Sequence, residues 1–285
     1  DIMIEKGMEI TVQLAVIGHL AGEAASSLFT IFFVCFFGPE KSETISETGF
    51  SWKDTAFPLM FLALPLMGNR LVLNVLASAE AIWIPNRLRI FGFSSSEALN
   101  IYGVLTGMAM PFILFPSAIT NSIAVLLLPT VARAQAEGNQ RQISSTISMS
   151  IRYSLYMGIL CIGVFTLYGA GLGSSVFHNG NAGDFIVILA WLCPFLYLST
   201  TMGSILNGLG KTTTTFLQNT AALLLRLCFV WFGIPKYGML ALLWGMLASE
   251  LFLALLHLYS LEKLVPFSWN AWNMIVKPGI FILIS

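Results

Sequence analysis

The chain has 285 residues, of which 56% are hydrophobic and only 10% charged, and its 14 basic and 14 acidic side chains give a formal net charge of zero. A soluble domain carries about a quarter of its residues as charges, so this composition excludes an ordinary soluble fold. The neutral balance gives no electrostatic case for nucleic acid.

Apolar runs long enough to cross a bilayer follow one another at 10–37, 56–84, 98–127, 151–177, 185–209, 213–234 and 238–261, with a clipped eighth from Met274. A helix rises about 1.5 Å per residue, so about 20 apolar residues cover the ~30 Å hydrocarbon core. Residues 98–132 hold no charged side chain over 35 positions, and 153–183 none over 31. Barrel strands would be about 10 residues long and alternate in polarity, and these runs do neither. The expected fold class is all-α: a polytopic transmembrane helical bundle of seven complete spans plus a truncated eighth. Gly38-Pro39, Ile84-Pro85, His178 to Asn181, Gly208 to Lys211 and Ile234-Pro235 mark the connections.

Pro65, Pro111, Pro116 and Pro194 fall inside spans. Each removes a backbone hydrogen bond and bends its helix. Two readings stand: packing kinks, or bent helices around a cavity whose water or neighbours satisfy the freed carbonyls. The connection from Thr130 to Arg152 is polar and Ser-rich, yet Ile143, Ile147 and Ile151 recur every four residues on one helical face. It reads as an amphipathic helix lying on the inner leaflet, or as a solvated loop.

Loop charges orient the bundle. The loops after spans one, three, five and seven hold eight basic residues (Lys41, Lys53, Arg133, Arg141, Arg152, Lys211, Lys263, Lys277), and the opposite side holds four (Lys6, Arg87, Arg89, Lys236). Positive-inside bias places the first group in the cytoplasm, so span one runs from outside to inside. The chain opens at Asp1 with no signal peptide and stops at Ser285, a short way into an apolar run, and so reads as a piece of a longer membrane protein.

Cys35, Cys161, Cys193 and Cys228 all lie in apolar stretches without disulfide-framework or metal-ligand spacing and read as small buried hydrophobes. No phosphate loop, zinc motif or nucleophile elbow occurs, so no catalysis, metal or cofactor is expected. The informative side chains are ionisable groups at membrane depth, where a charge costs at least about 2.5 kcal/mol and calls for a partner or water. His19 and Glu23 are four apart on one face, a pair that could carry protons in an ion-coupled transporter or could simply hydrogen-bond each other. Arg226 lies nine residues before Pro235 and Glu250 twelve after Gly238. Their depths then differ by only about 4–5 Å, and a structural ion pair is expected, with a functional role as the alternative. Arg70 shares a midplane depth with Glu23, which permits a salt bridge. Alternatively Arg70 lines a water-filled cavity with Asn74, four residues on, and binds an anion such as a phosphate.

Residues 98–139 carry Tyr102-Gly103, a Phe115-Pro116 break, Asn121, and Leu128-Pro129 leading into Arg133, Ala136 and Gly138. This block resembles the stage V sporulation protein B family, as do residues 65–85, the stretch Leu206 to Lys211 and the stretch Ile234 to Gly238. That family comprises flippases of oligosaccharides and lipid-linked precursors within the multidrug/oligosaccharidyl-lipid/polysaccharide transporter superfamily, built as two helical lobes around a central cavity. The resemblance implies that residues 1–37 are the last helix of the first lobe and 38–55 a cytoplasmic linker. It makes 56–261 a second-lobe six-helix bundle, and 262–285 a linker plus a truncated additional helix. It implies a multi-pass plasma-membrane protein, lacking here its N-terminal half, that moves an undecaprenyl-pyrophosphate-linked oligosaccharide or peptidoglycan precursor by alternating access. Arg70, Asn74, Glu80 and Asn121 are then the substrate-binding candidates, and the partners are the bilayer and an anionic lipid-linked sugar. Two rivals stand beside it: a cation-coupled multidrug antiporter with Glu23 and Glu80 as its acidic site, and a non-transporting scaffold of a cell-wall synthesis complex.

Overall fold

The structure, a computed structural model, describes residues 12–37 and 52–265. Of the expected linker at 38–55, residues 38–51 lie outside the described residues, as do 266–285 with the expected truncated helix, while 52–55 are already helical. Residues 1–62 and 63–285 form two compact units. In the first, helix α1 (Val12–Phe37) leaves Leu28, Phe29, Phe32 and Phe36 exposed, with the Phe32 and Phe36 rings 4.5 Å apart.

Helix α2 (Trp52–Phe91) runs for 40 residues and carries the chain into the second unit. There follow α3 (Ser95–Leu114), α4 (Ser117–Ala136), α5 (Gln140–Phe177), α6 (Gly180–Gly208), α7 (Thr212–Tyr237) and α8 (Met239–Leu264), all six long and apolar enough to cross a membrane. Every regular element among the described residues is helical. Large apolar side chains such as Leu167, Trp244 and Tyr259 are exposed along these helices, as lipid-facing surfaces require. The protein is a polytopic, all-α, multi-pass membrane protein.

Two of the six helices form a single bent crossing. Tyr197 Oη donates to the Ile113 carbonyl at 3.1 Å, Ser204 Oγ donates to the Ala124 carbonyl, and Gly208 abuts the Leu128 carbonyl. The paired positions advance together, so α3 and α4 run in the same direction alongside α6, broken at Phe115-Pro116. Helix α5 runs antiparallel to α6. Ser154 meets Thr201 at 2.9 Å, and a Cβ on Gly158 or Gly173 would collide with the backbone of Pro194 or Gly183. Such small residues let helix backbones approach where lipid supplies no hydrophobic drive between them.

Capping chemistry fixes the turns. Ser94 and Glu97 close a capping box at the start of α3, and Asn139 accepts from the Gln142 N–H at the start of α5. Gly238, at φ +59°, makes the α7–α8 turn against the ring of Phe91, where a Cβ would meet that ring at 2.9 Å.

Three expectations from the sequence are corrected. Ile84-Pro85 does not end its helix: Ile84 and Leu88 are buried in the apolar core, and this packing carries α2 through the proline to Phe91. Ile234-Pro235 likewise continues α7, and the turn comes at Gly238. The isoleucine stripe is helical but does not lie on a leaflet. Residues 140–152 are the first turns of α5, and Ile143, Ile147 and Ile151 are fully buried against Val131, Met202, Ile205 and Leu261. Of the span prolines, Pro111 follows a π-helical turn at Leu105–Ala109 and Pro194 a 3₁₀ turn at Ala190–Leu192, so the helices adjust locally at each.

Burial of the stripe makes a quantitative statement. Ile147→Ala removes fully buried methylenes and should destabilise the purified protein by about 2–5 kcal/mol, read as a lowered unfolding midpoint in detergent. A cost below about 0.5 kcal/mol, the size typical of surface changes, would return the stripe to the membrane interface.

Candidate functional site

Helix α6 has two faces. Leu198, Met202, Ile205 and Leu206 pack into the apolar core, while Leu196, Ser199, Thr200, Gly203, Ser204 and Asn207 recur at helical spacing on another face. That second face lines a groove of about 740 Å3. Helix α4 contributes Asn121, Ala124, Val125 and Leu128, α7 contributes Thr215 and Asn219, and α8 contributes Glu250, Leu253 and His257. The polar lining is amides and hydroxyls with one carboxylate and one imidazole. A smaller cavity of about 170 Å3 shares Asn219, Glu250 and Leu253 with the groove and adds Leu73, Arg226 and Ser249.

The ion pair expected between Arg226 and Glu250 is not the one the fold makes. Arg226 Nη2 donates to Glu80 Oε2 at 2.7 Å, joining α7 to α2, and Glu80 is buried. Arg226 and Glu250 do line one small cavity. Helix α2 brings a nearer carboxylate, that of Glu80. Two further contacts seat α2 on α7: the Arg87 guanidinium carbon lies 3.3 Å from the centre of the Trp231 ring, and Trp83 meets Trp231 edge-on at 5.1 Å. Glu80, Trp83 and Arg87 share one face at i, i+3 and i+7. Glu250 instead accepts from Ser199 Oγ at 3.1 Å across the α6–α8 interface. The Arg226 Nε is buried without a hydrogen-bond partner.

The other candidates separate. Asn121 lines the groove, its Nδ2 3.5 Å from Ser117 Oγ. Glu80 is occupied by Arg226 and lines neither cavity. Arg70 and Asn74 are both exposed on α2. Glu23 is exposed on α1 in the first unit, and the side chain of His19 lies outside the described residues. His257, whose Nδ1 sits 2.7 Å from Gln218 Oε1, is a site residue that the sequence did not single out. The signal was present: Glu250, Leu253 and His257 fall at i, i+3 and i+7 on one face, opposite Thr215 and Asn219 at i and i+4.

Glu80 is buried and Arg226 half-buried, so loss of one partner strands the other charge largely out of water. Glu80→Leu or Arg226→Leu should each cost about 3–5 kcal/mol, while the double substitution should be far milder. Thermal unfolding of the purified single and double variants decides this, and strict additivity would mean that the two side chains do not stabilise each other.

Among curated proteins the chain is similar to Stage V sporulation protein B of Bacillus subtilis (strain 168). The two are 25% identical over 275 residues, which cover 94% of this chain and 52% of that protein. It is also similar to Sporulation protein YkvU of the same organism, 24% identical over 213 residues, which cover 74% of this chain and 48% of that one. The chain thus spans about half the length of the curated relatives it matches. No family model and no solved structure matches it. The resemblance to the stage V sporulation protein B family, read from residues 98–139, therefore holds along nearly the whole chain.

Proposed function

We propose that this chain is one lobe of a membrane transporter that moves an undecaprenyl-pyrophosphate-linked oligosaccharide or peptidoglycan precursor between leaflets by alternating access. The observation that carries the reading is the groove of about 740 Å3 within a bundle of membrane-crossing helices, lined by amides, hydroxyls and one carboxylate. Polar side chains facing lipid are costly, whereas a polar head in transit needs such a lining to replace its water. The similarity to Stage V sporulation protein B supports the same assignment through the family it resembles. In this reading the lobe rocks against the rest of the protein around a site that hides the polar head, with Thr130–Arg152 on the cytoplasmic side. No step breaks a covalent bond.

Arg70 and Asn74 are the proposed contacts for the anionic head. Both are exposed and one turn apart on α2, and an exposed guanidinium at membrane depth is too costly to face lipid. A planar fork that binds two phosphate oxygens at once suits a pyrophosphate. The antiporter reading keeps one specific support. Glu80 is committed to Arg226, which leaves Glu250 as the carboxylate lining the groove for a coupling cation.

The test uses the full-length protein in proteoliposomes with a fluorescent undecaprenyl-pyrophosphate-linked sugar. Arg70→Lys should retain part of the transport and Arg70→Ala almost none, with melting temperature and expression unchanged. A purely structural partnership with Glu23 predicts instead that Glu23→Gln/Arg70→Gln recovers activity. Recovery there, or normal transport by Arg70→Ala, would remove Arg70 from the site.

A further inference from the structure

His257 is buried on α8, 1% exposed, yet it lines the groove. Its Nδ1 lies 2.7 Å from Gln218 Oε1. The orientation of that amide is fixed independently, because Gln218 Nε2 donates to the Leu256 carbonyl at 3.1 Å and lies 2.6 Å from Ser260 Oγ. A carbonyl can only accept, so the Gln218 atom facing the imidazole is the oxygen, and the proton must sit on Nδ1. The neutral ring then carries its lone pair on Nε2. Nε2 has no hydrogen-bond partner among the described residues. It abuts Gly203, where a Cβ would come within 3.2 Å of it, and Gly203 also lines the groove.

We propose that His257 Nε2 is a proton-binding site opening on the groove, with Gln218 holding the imidazole in the tautomer that leaves Nε2 bare. Uptake of a proton forms one N–H bond, turns an acceptor into a donor and adds one positive charge. Glu250, two turns away on the same helix, is the other ionisable side chain lining the groove. From the facing helices, α4 presents Asn121, α6 presents Gly203, Ser204 and Asn207, and α7 presents Thr215 and Gln218, none of which ionises. Arg226 lies further along α7, in the adjoining small cavity. Protonation therefore adds a positive charge to the groove and makes it more hospitable to an anionic head. That consequence rests on the transport reading, whereas the proton site itself does not.

The test is nitrogen NMR of the full-length protein in lipid nanodiscs, with ring-15N histidine and His257 assigned by the signals lost in His257→Gln. At about pH 8 the spectrum should show a protonated Nδ1 and a bare Nε2, and both nitrogens should become protonated as the pH is lowered. Gln218→Leu should release the neutral ring to the Nε2–H tautomer, while Gln218→Glu, which keeps an acceptor oxygen, should retain Nδ1–H. A wild-type ring in the Nε2–H form at pH 8, or one that stays neutral down to the lowest pH at which the protein remains folded, would overturn the proposal, and the wild-type spectrum decides this even if a variant fails to fold. Failure of transport with a normal titration would count against the transport reading alone.

Discussion

In hydrocarbon every backbone N–H and C=O must find its partner inside the protein, and this constraint shapes each irregular point of the bundle. The clearest case is the break at Phe115-Pro116. Pro116 has no N–H, so the turn before it leaves carbonyls in need of donors. Phe115 N–H reaches the carbonyls of Pro111 and Phe112, Tyr197 Oη donates to that of Ile113, and Ser117 Oγ donates to that of Leu114. Tyr197 is fully buried, so the repair comes from within the protein. Because the break is mended by α6, α3 and α4 stay docked along it as one bent crossing. The π turns at Leu105–Ala109 and Phe229–Gly233, each two residues before a proline, are the same accommodation within a helix.

The same cost, applied to side chains, gathers the polar groups. Carboxylate and guanidinium meet at Glu80 and Arg226, hydroxyl meets carboxylate at Ser199 and Glu250, and amide meets imidazole at Gln218 and His257. Each pair joins two different helices, so each both satisfies a polar atom and fixes a neighbour. The apolar residues that flank them divide into two cores. One is built around Leu88, Ile113, Ile186 and Leu242, the other around Ile143, Ile147, Met202 and Leu261. The groove lies beside the second core, on the polar face of α6.

The sequence made the class of fold legible because hydropathy is a property of segments: run length and the absence of charge decide it without tertiary knowledge. Helix ends were less legible. Pro85 looked like a terminus, since whether a proline ends a helix or bends it depends on the packing of Ile84 and Leu88, which no local window contains. The isoleucine stripe of α5 had the correct period and the wrong surroundings for a related reason: a buried apolar face and a membrane-facing one are identical in sequence. Depth counting placed Arg226 near Glu250, but partner choice depends on which third helix lies alongside, and Glu80 precedes Arg226 by 146 positions. His257 was not legible because a lone imidazole in an apolar run says nothing of the Gln218 amide that faces it from the neighbouring helix.

The central claim is that the polar face of α6 borders water rather than lipid in the working protein. The most direct measurement is thiol accessibility in native membranes, using full-length protein freed of its own cysteines. Asn207→Cys and Asn219→Cys line the groove, whereas Leu217→Cys and Leu167→Cys sit on exposed apolar surface. A small water-soluble thiol reagent should modify the first two readily and the last two little. Equal protection of all four positions would mean that the groove is sealed or filled with lipid, and would contradict this account.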